Sequence, residues 1–514
     1  MSRFRKVVHS VGSSYVLLGA NVLFTVGSVR LSLSHLSTEQ FGLWNVIMQL
    51  AGFLTLLELG ISPAVTRALF DYKDQPEHGE YGRVIQTGFF ILIAQGLLVL
   101  LLGIALTPAL SDALRIPSTL APEFIRWMRW QCVITAAGFG TRIFGQLLIT
   151  RHRYDIGNYG QAFAFGVNLA CLWLFYRMGW KLASLVASNA IVWALNSFIT
   201  IAACLRLEVF PSRQAWGRPT WRQLREMLAF GKDAFLISLG WQLIQASQTV
   251  IVTRALGLQA AAIWAVCTKM YVLVSQLVWR IYDSSASAFA EMIVRSEQAR
   301  LLDRFKVVVI LSASLSAVLA VVFAATNEPF VVLWTQGKLG WSNYNNVLLA
   351  VWLIIVSIAR CLNGHALLTK EIRALRYIYF IEGVLIFAAG FFAARLGGFP
   401  AMLLLSILCS VAVSGAYGMH RSKEYFRVSL REILAGWLRP MAKVALWLVP
   451  WATLVWFALK GLPPLWRLAG GGLMVGLPGI FLLLRVGLPP SVQIEIARRA
   501  PGRLNPVLRK IFAV

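Results

Sequence analysis

Three cations stand inside long apolar stretches: Arg142, Lys269 and Arg360. Arg142 lies 12 residues after Trp130 and 9 before Arg151. At ~1.5 Å per helical residue that is about 18 Å from one end of its segment and about 14 Å from the other. Lys269 follows Gln259 by 10 residues and precedes Arg280 by 11, and Arg360 precedes Lys370 by 10. A charge at the centre of a membrane helix costs about 2.5–3.5 kcal/mol on insertion scales. Each cation therefore needs an acid or an aqueous cavity. The acids in comparable positions are few: Glu58, Asp283 and Glu382. Two readings stay open. The cations pair with these acids, for example Arg142 with Glu58, and the acids serve as ion-pair or coupling groups. Alternatively the cations line a cavity for an anion such as a diphosphate, which a guanidinium fork binds through two oxygens and an ammonium binds as a point charge. His365, near Arg360, is read as a satisfied polar residue rather than a proton relay.

Uncharged polar residues form two stripes. Ser14, Asn21, Thr25 and Ser28 are spaced by 7, 4 and 3; Ser238, Gln242, Gln245 and Gln248 repeat a similar spacing. Residues three, four and seven apart share a helix face. Polar faces in lipid are costly, so both stripes should face water or each other.

The elements that position these groups are membrane helices. Of 514 residues, 58% are hydrophobic and only 14% charged, with a mean hydropathy of +0.68. A soluble chain of this size would carry about 25% charged residues, so a soluble multidomain enzyme is excluded. A membrane helix needs about 20 apolar residues. Apolar runs fall near 11–33, 40–66, 84–108, 127–150, 157–177, 180–205, 232–253, 258–282, 305–326, 345–369, 376–395, 397–420, 441–460 and 465–486. The fold class is thus an all-α polytopic membrane protein of about fourteen spans. The first run, behind Arg3, Arg5 and Lys6, is too long and too poor in small cleavage-site residues for a signal peptide.

Charge orients the spans. With residues near the run ends counted in the adjoining connections, 34 of the 48 Lys and Arg fall in alternate segments beginning with the N-terminus, 11 in the intervening ones, and 3 (Arg142, Lys269 and Arg360) deep inside spans. Basic residues crowd cytoplasmic loops, so both termini are expected inside, in a cytoplasmic membrane. The net charge of +26 then needs no nucleic acid. Trp127, Trp130, Trp334, Trp341, Trp451 and Trp456 sit near the opposite ends, as interfacial tryptophans do. The six cysteines are dispersed and read as small apolar residues; neither a metal nor another cofactor is expected.

A shift of about 220 residues places Gly42-Leu43-Trp44 on Ala262-Ile263-Trp264, and Thr25 and Ser28 on Gln245 and Gln248. The expected organisation is an N-terminal lobe at 1–205 and a linker at 206–231. A C-terminal lobe at 232–420, two extra spans at 421–486 and a basic tail at 487–514 follow. Arg213, Arg218, Arg222 and Arg225 lie in the linker, whose part from Thr220 to Phe230 reads as an amphipathic helix on the inner leaflet. Two parallel six-helix lobes with polar stripes on their first helices imply a cavity between them.

Gln40-Phe41-Gly42-Leu43-Trp44, the run Leu57-Glu58-Leu59-Gly60-Ile61-Ser62-Pro63-Ala64-Val65-Thr66-Arg67, and Leu228-Ala229-Phe230-Gly231-Lys232 resemble the bacterial polysaccharide-biosynthesis transporters. These are the Wzx-type oligosaccharide flippases of the multidrug/oligosaccharidyl-lipid/polysaccharide (MOP) superfamily. Members often carry Asp where Glu58 stands. The resemblance implies alternating access by two lobes, a polyprenyl-diphosphate-linked glycan as substrate, membrane lipids as surroundings, and a polysaccharide polymerase and other export machinery as partners. The multidrug branch, a cation-coupled exporter, and a peptidoglycan-precursor flippase are the alternatives. Neither a Walker loop nor an HExxH motif is present, and the loops are too short for the site of a glycosyltransferase, polymerase or ligase. A transporter and not an enzyme is expected. A cytoplasmic-type reporter fused after Val514 should be active and an externally active type silent. The reverse result would shift the span count by an odd number.

Overall fold

The computed structural model describes residues 3–72, 79–151, 153–212, 214–369, 373–499 and 512. Arg213 and most of the basic tail after Arg499 lie outside the described residues. Helices make up the regular structure, with no strand among the described residues. Hydrocarbon offers no partner to a backbone N–H or C=O, so each span must bond to itself.

The chain divides into two compact units. Unit 1 is Met1–Gln242 with Val252–Ala262, and unit 2 is Leu243–Ile251 with Ile263–Val514. Unit 1 contains α1 (Arg3–His35), α2 (Thr38–Leu54), α3 (Ile61–Tyr72), α4 (Glu80–Ala113), α5 (Ala121–Thr150), α6 (Tyr154–Arg177) and α7 (Leu182–Arg206). Ser37 starts α2 with a reciprocal cap: its hydroxyl accepts from Gln40 N at 3.1 Å, and Gln40 Oε1 accepts from Ser37 N at 3.3 Å. The second span is not one helix over 40–66. A 3-10 turn at Thr55–Glu58 follows α2, and Leu59 (φ 53°) and Gly60 (φ 73°) then break the helix before α3.

The long α8 (Trp221–Leu256) and α9 (Leu258–Cys267) contribute to both units, separated by Gly257 at φ 91°. The segment expected as a separate amphipathic helix is the beginning of α8, a helix of 36 residues. Its Arg222 and Arg225 are exposed, while Met227 is buried with Tyr81, Val84 and Leu69 in the core of unit 1. That apolar anchor holds the segment in line with the span instead of leaving it free on a surface.

Unit 2 continues with α10 (Lys269–Val294), α11 (Gln298–Thr335), α12 (Asn343–Leu368), α13 (Arg373–Ser410), α14 (Ala416–Phe426), α15 (Leu430–Glu432), α16 (Arg439–Leu459), α17 (Pro464–Leu482) and α18 (Pro490–Arg499). Its inner core gathers Tyr282, Phe289, Phe305, Phe426 and Trp437. Single π-helical turns occupy Val411–Gly415, Ile433–Trp437 and Leu483–Gly487.

Twelve described segments are long and apolar enough to span a membrane. One of them, Ala374–Phe426, is interrupted by non-helical backbone at Gly397 and Gly398 and so makes two passes. The 24-residue α6, packed between α1 and α7, is less apolar and is not one of the twelve. The fourteen expected apolar runs correspond to these twelve segments with Ala374–Phe426 divided in two and α6 added, while twelve meet the length and apolarity of a span. α6 dilutes its apolarity with Asn158, Gln161 and Asn168. Asn158 and Gln161 bond to side chains of neighbouring helices and Asn168 is buried.

Close packing in unit 1 runs through glycines. Gly88, Gly96 and Gly103 fall on the face of α4 that meets α3 and α5. A Cβ at Gly96 would sit 2.6 Å from Ala136 O, a backbone atom that cannot move aside. Small residues let membrane helices approach where hydrophobicity provides no drive between them. Gly96→Leu is expected to cost about 1–3 kcal/mol by overpacking. Gly472→Leu, where a Cβ meets nothing within 4 Å, should be near neutral. Thermal unfolding of the purified protein separates the two, and equal losses would reject this account of the α4–α5 contact.

Candidate functional site

The first embedded cation is paired. Arg142 donates to the Glu58 carboxylate, and its guanidinium lies 4.2 Å from the centre of the Phe139 ring. The pair arises from the break after α2. Ending that helix at Glu58 frees backbone groups of the next turn, and Glu58 Oε1 accepts from Ser62 N at 3.0 Å. A carboxylate at a helix start also meets the positive end of the α3 dipole. Gln95 of α4 donates to Glu58 O at 2.9 Å, and Thr66 donates to Gln146, one turn beyond Arg142 on α5. Glu58 therefore caps a helix, anchors a cation and receives a third helix through its carbonyl. The pair is not sealed: Arg142 keeps 29% and Glu58 19% of its side-chain surface exposed.

The second cation is also paired. Arg360 of α12 donates to Asp283 of α10 at 2.9 Å and packs 5.1 Å from the Trp279 ring centre. Lys269 is half-buried at the first position of α10 and forms no ion pair among the described residues. Cys267 O, just before it, accepts from the buried Asn327 at 3.0 Å. Lys269 and Asp283 are 14 residues apart on one helix, about 21 Å. Unit 2 therefore keeps its two embedded cations well separated.

Glu382 of α13 is buried and has no cation within ion-pair distance among the described residues. Its carboxylate accepts from Ser410 Oγ at 2.7 Å and from Ser414 N at 3.1 Å. Ser414 lies in the π turn, and its carbonyl accepts from Asn363 at 3.0 Å. Trp352 donates to Ser410 at 3.2 Å and stacks on Tyr271. An extra residue in a helix releases backbone groups, and side chains of neighbouring helices take them up. His365 is buried among Phe305, Tyr425 and Phe426.

On the α1 stripe, Ser14 accepts with Ser13 from Asn158 of α6, at 3.1 and 2.9 Å. Ser28 is buried and donates to Thr25 O; Asn21 and Thr25 are half-exposed. On α8, Ser238 is exposed, Gln242 lies beside Gly52, Gln245 is half-buried and Gln248 is buried, turned back on Ile244 O. Sequence reasoning did not single out Gln95, Gln146, Asn327, Asn363, Ser410 or Ser414. Amides within apolar runs, and Ser410 and Ser414 at a spacing of four, were the available signals.

Residues 31–286 match the family described as polysaccharide biosynthesis protein. No curated protein matches the sequence. Solved structures share the fold. An inward-facing multidrug resistance MATE-family transporter of the MOP superfamily superposes with a TM-score of 0.70 at 10% identity, over 81% of this chain and 99% of that one. A MOP superfamily transporter from Pyrococcus furiosus, described by the reverse polarity of its binding pocket, gives 0.60 at 10% identity over 82% and 96%. A MATE structure in a bent conformation gives 0.58 at 12% identity over 82% and 96%.

If Glu58 and Arg142 act as one unit, their effects on stability are not additive. Glu58→Gln and Arg142→Gln, alone and combined, should show a coupling energy of about 1–3 kcal/mol in unfolding of the purified protein. A coupling near zero would mean that the contact contributes nothing beyond proximity.

Proposed function

We propose that this chain, whose residues 31–286 match the polysaccharide biosynthesis protein family and whose fold is shared with MOP-superfamily transporters, is a lipid-linked oligosaccharide flippase. It turns a polyprenyl-diphosphate-linked oligosaccharide from the inner to the outer leaflet of the cytoplasmic membrane by alternating access. The product supplies a cell-surface or secreted polysaccharide, with a polymerase and other export machinery downstream. The physical task is to carry a diphosphate and its sugars past hydrocarbon while the polyprenyl tail stays in lipid. An unpaired anion cannot enter hydrocarbon alone.

The observation that carries this reading is the sign of the embedded charge. Lys269 stands half-buried without an ion-pair partner among the described residues. Arg142 and Arg360 stay 29% and 31% exposed while paired. A partly exposed pair can exchange one carboxylate for a phosphate oxygen at less cost than a sealed one, since water already screens it. Arg142 and Arg360 then serve as bidentate ligands and Lys269 as a point charge that the headgroup meets at successive positions, since Lys269 lies about 21 Å along α10 from Asp283, the partner of Arg360. Glu58 and Asp283 hold the guanidiniums when no anion is bound. Ser14, Asn21, Thr25, Ser238, Gln242 and Gln245 are the polar groups proposed to line the path; Ser28 and Gln248 are buried and bonded to their own helices, which takes them off it. Glu382 is the coupling candidate, because its carboxylate is buried and held by hydrogen bonds alone.

The test is glycan export in a flippase-deficient strain, with membrane protein measured alongside. Lys269→Ala should lower export at least ten-fold at unchanged protein level, if it removes about 1.4 kcal/mol or more of anion stabilisation. Lys269→Arg should retain more activity than Lys269→Ala. Normal export by well-expressed Lys269→Ala, Arg142→Gln and Arg360→Gln would reject the anionic-substrate reading.

A further inference from the structure

A second group of cations lies away from the embedded charges. A groove of about 820 Å³ opens between α4 and α5 near their connection. The α5 wall is one stripe at helical spacing: Ile125, Arg126, Arg129, Trp130 and Val133. α4 adds Ile104 and Asp112, and the connection adds Ile116 and Ser118. Polar and apolar parts are sorted along the axis. Arg126 and Arg129 lie near the start of α5, and Val133, with Ile104 of α4, lies further into the span. Arg126 to Val133 is about 10 Å at 1.5 Å per residue. The neighbouring Leu101, Leu106 and Trp130 are exposed, as residues facing lipid are.

The charge at the mouth is unsatisfied. Both arginines are exposed, and neither forms an ion pair among the described residues; the Arg126 guanidinium lies 5.9 Å from the centre of the Trp127 ring. The first turn of α5 has no side-chain cap, and Glu123 in that turn offsets the positive end of the helix, so the two arginines supply the potential of the groove. Glu123 lies in that turn but does not line the groove. Two guanidiniums against Asp112 leave the groove with one net positive charge.

We propose that this groove holds a monoanionic membrane phospholipid. Its phosphodiester sits between Arg126 and Arg129, and an acyl chain runs past Trp130 against Ile104 and Val133. One net positive charge matches one phosphodiester. A diphosphate would bring a surplus of negative charge against Asp112, so the site is distinct from that of the transported headgroup. A neutral lipid would leave both guanidiniums uncompensated. The proposal does not depend on the identity of the transported molecule.

The test uses the full-length purified protein in mild detergent, exposed to equal amounts of phosphatidylglycerol and phosphatidylcholine. Bound lipid is counted by native mass spectrometry. The wild type should retain phosphatidylglycerol in preference, and Arg126→Gln/Arg129→Gln should lower that retention roughly ten-fold or more, as expected for two cations near an anionic headgroup. Arg126→Lys/Arg129→Lys should keep most of it. Ile104→Trp, which fills the apolar end and spares the arginines, should also lower it. Arg218→Gln/Arg225→Gln, an exposed pair elsewhere in unit 1, should change nothing. Equal retention of the two lipids by the wild type, or an equal loss in the control pair, would overturn the proposal. Complete displacement of phosphatidylglycerol by an equal amount of polyprenyl phosphate would overturn the choice of lipid.

Discussion

A backbone amide or carbonyl that leaves its helix inside hydrocarbon has no water to bond, and every other feature of this protein answers to that constraint. It makes the described chain helical, and it dictates what happens wherever a helix is broken. After α2, the amide of Ser62 is taken by the Glu58 carboxylate and the carbonyl of Glu58 by Gln95. Between α9 and α10, Asn327 takes Cys267 O. At the π turn before α14, Glu382 takes Ser414 N and Asn363 takes Ser414 O. At the turn before α18, Gln493 donates to Leu484 O and Arg485 O. Each interruption recruits a polar side chain that would otherwise be a liability in the membrane.

This changes the meaning of the embedded ionisable residues. Glu58 is kept charged company by Arg142, but it also closes the start of α3. Glu382 has no cation beside it among the described residues and still has two donors, because the π turn presents an amide to it. Lys269 begins α10 where the eighth span is interrupted. Embedded charge and backbone repair thus share the same sites. Breaks stabilised by a few side-chain bonds are also where a helix bends at least cost.

Packing adds a second layer. The glycines of α4 allow close approach to its neighbours, and aromatic residues fill the larger gaps in unit 2 around Phe305, Phe426 and Trp437. The Arg467–Glu328 pair ties α17 to α11. It joins an arginine counted only as loop charge in the sequence to an acid that no periodicity singles out.

Apolar run length reports directly on the bilayer, so the class of structure was legible in the residues alone. The sequence also marked Arg142, Lys269 and Arg360 as the groups needing an explanation, because a cation in an apolar run is costly wherever it points. It offered Glu58 as a partner for Arg142 but could not choose between pairing and a cavity. The folded arrangement of the helices settled that Arg142 meets Glu58 and that Arg360 meets Asp283, since both contacts join helices distant in the chain. It also decided that the second span ends at Glu58, and that Trp221–Leu256 is one helix. Periodicity records which face of a helix is polar. It holds no information on which neighbour that face meets or where the backbone breaks, and those depend on which buried groups can satisfy one another in three dimensions.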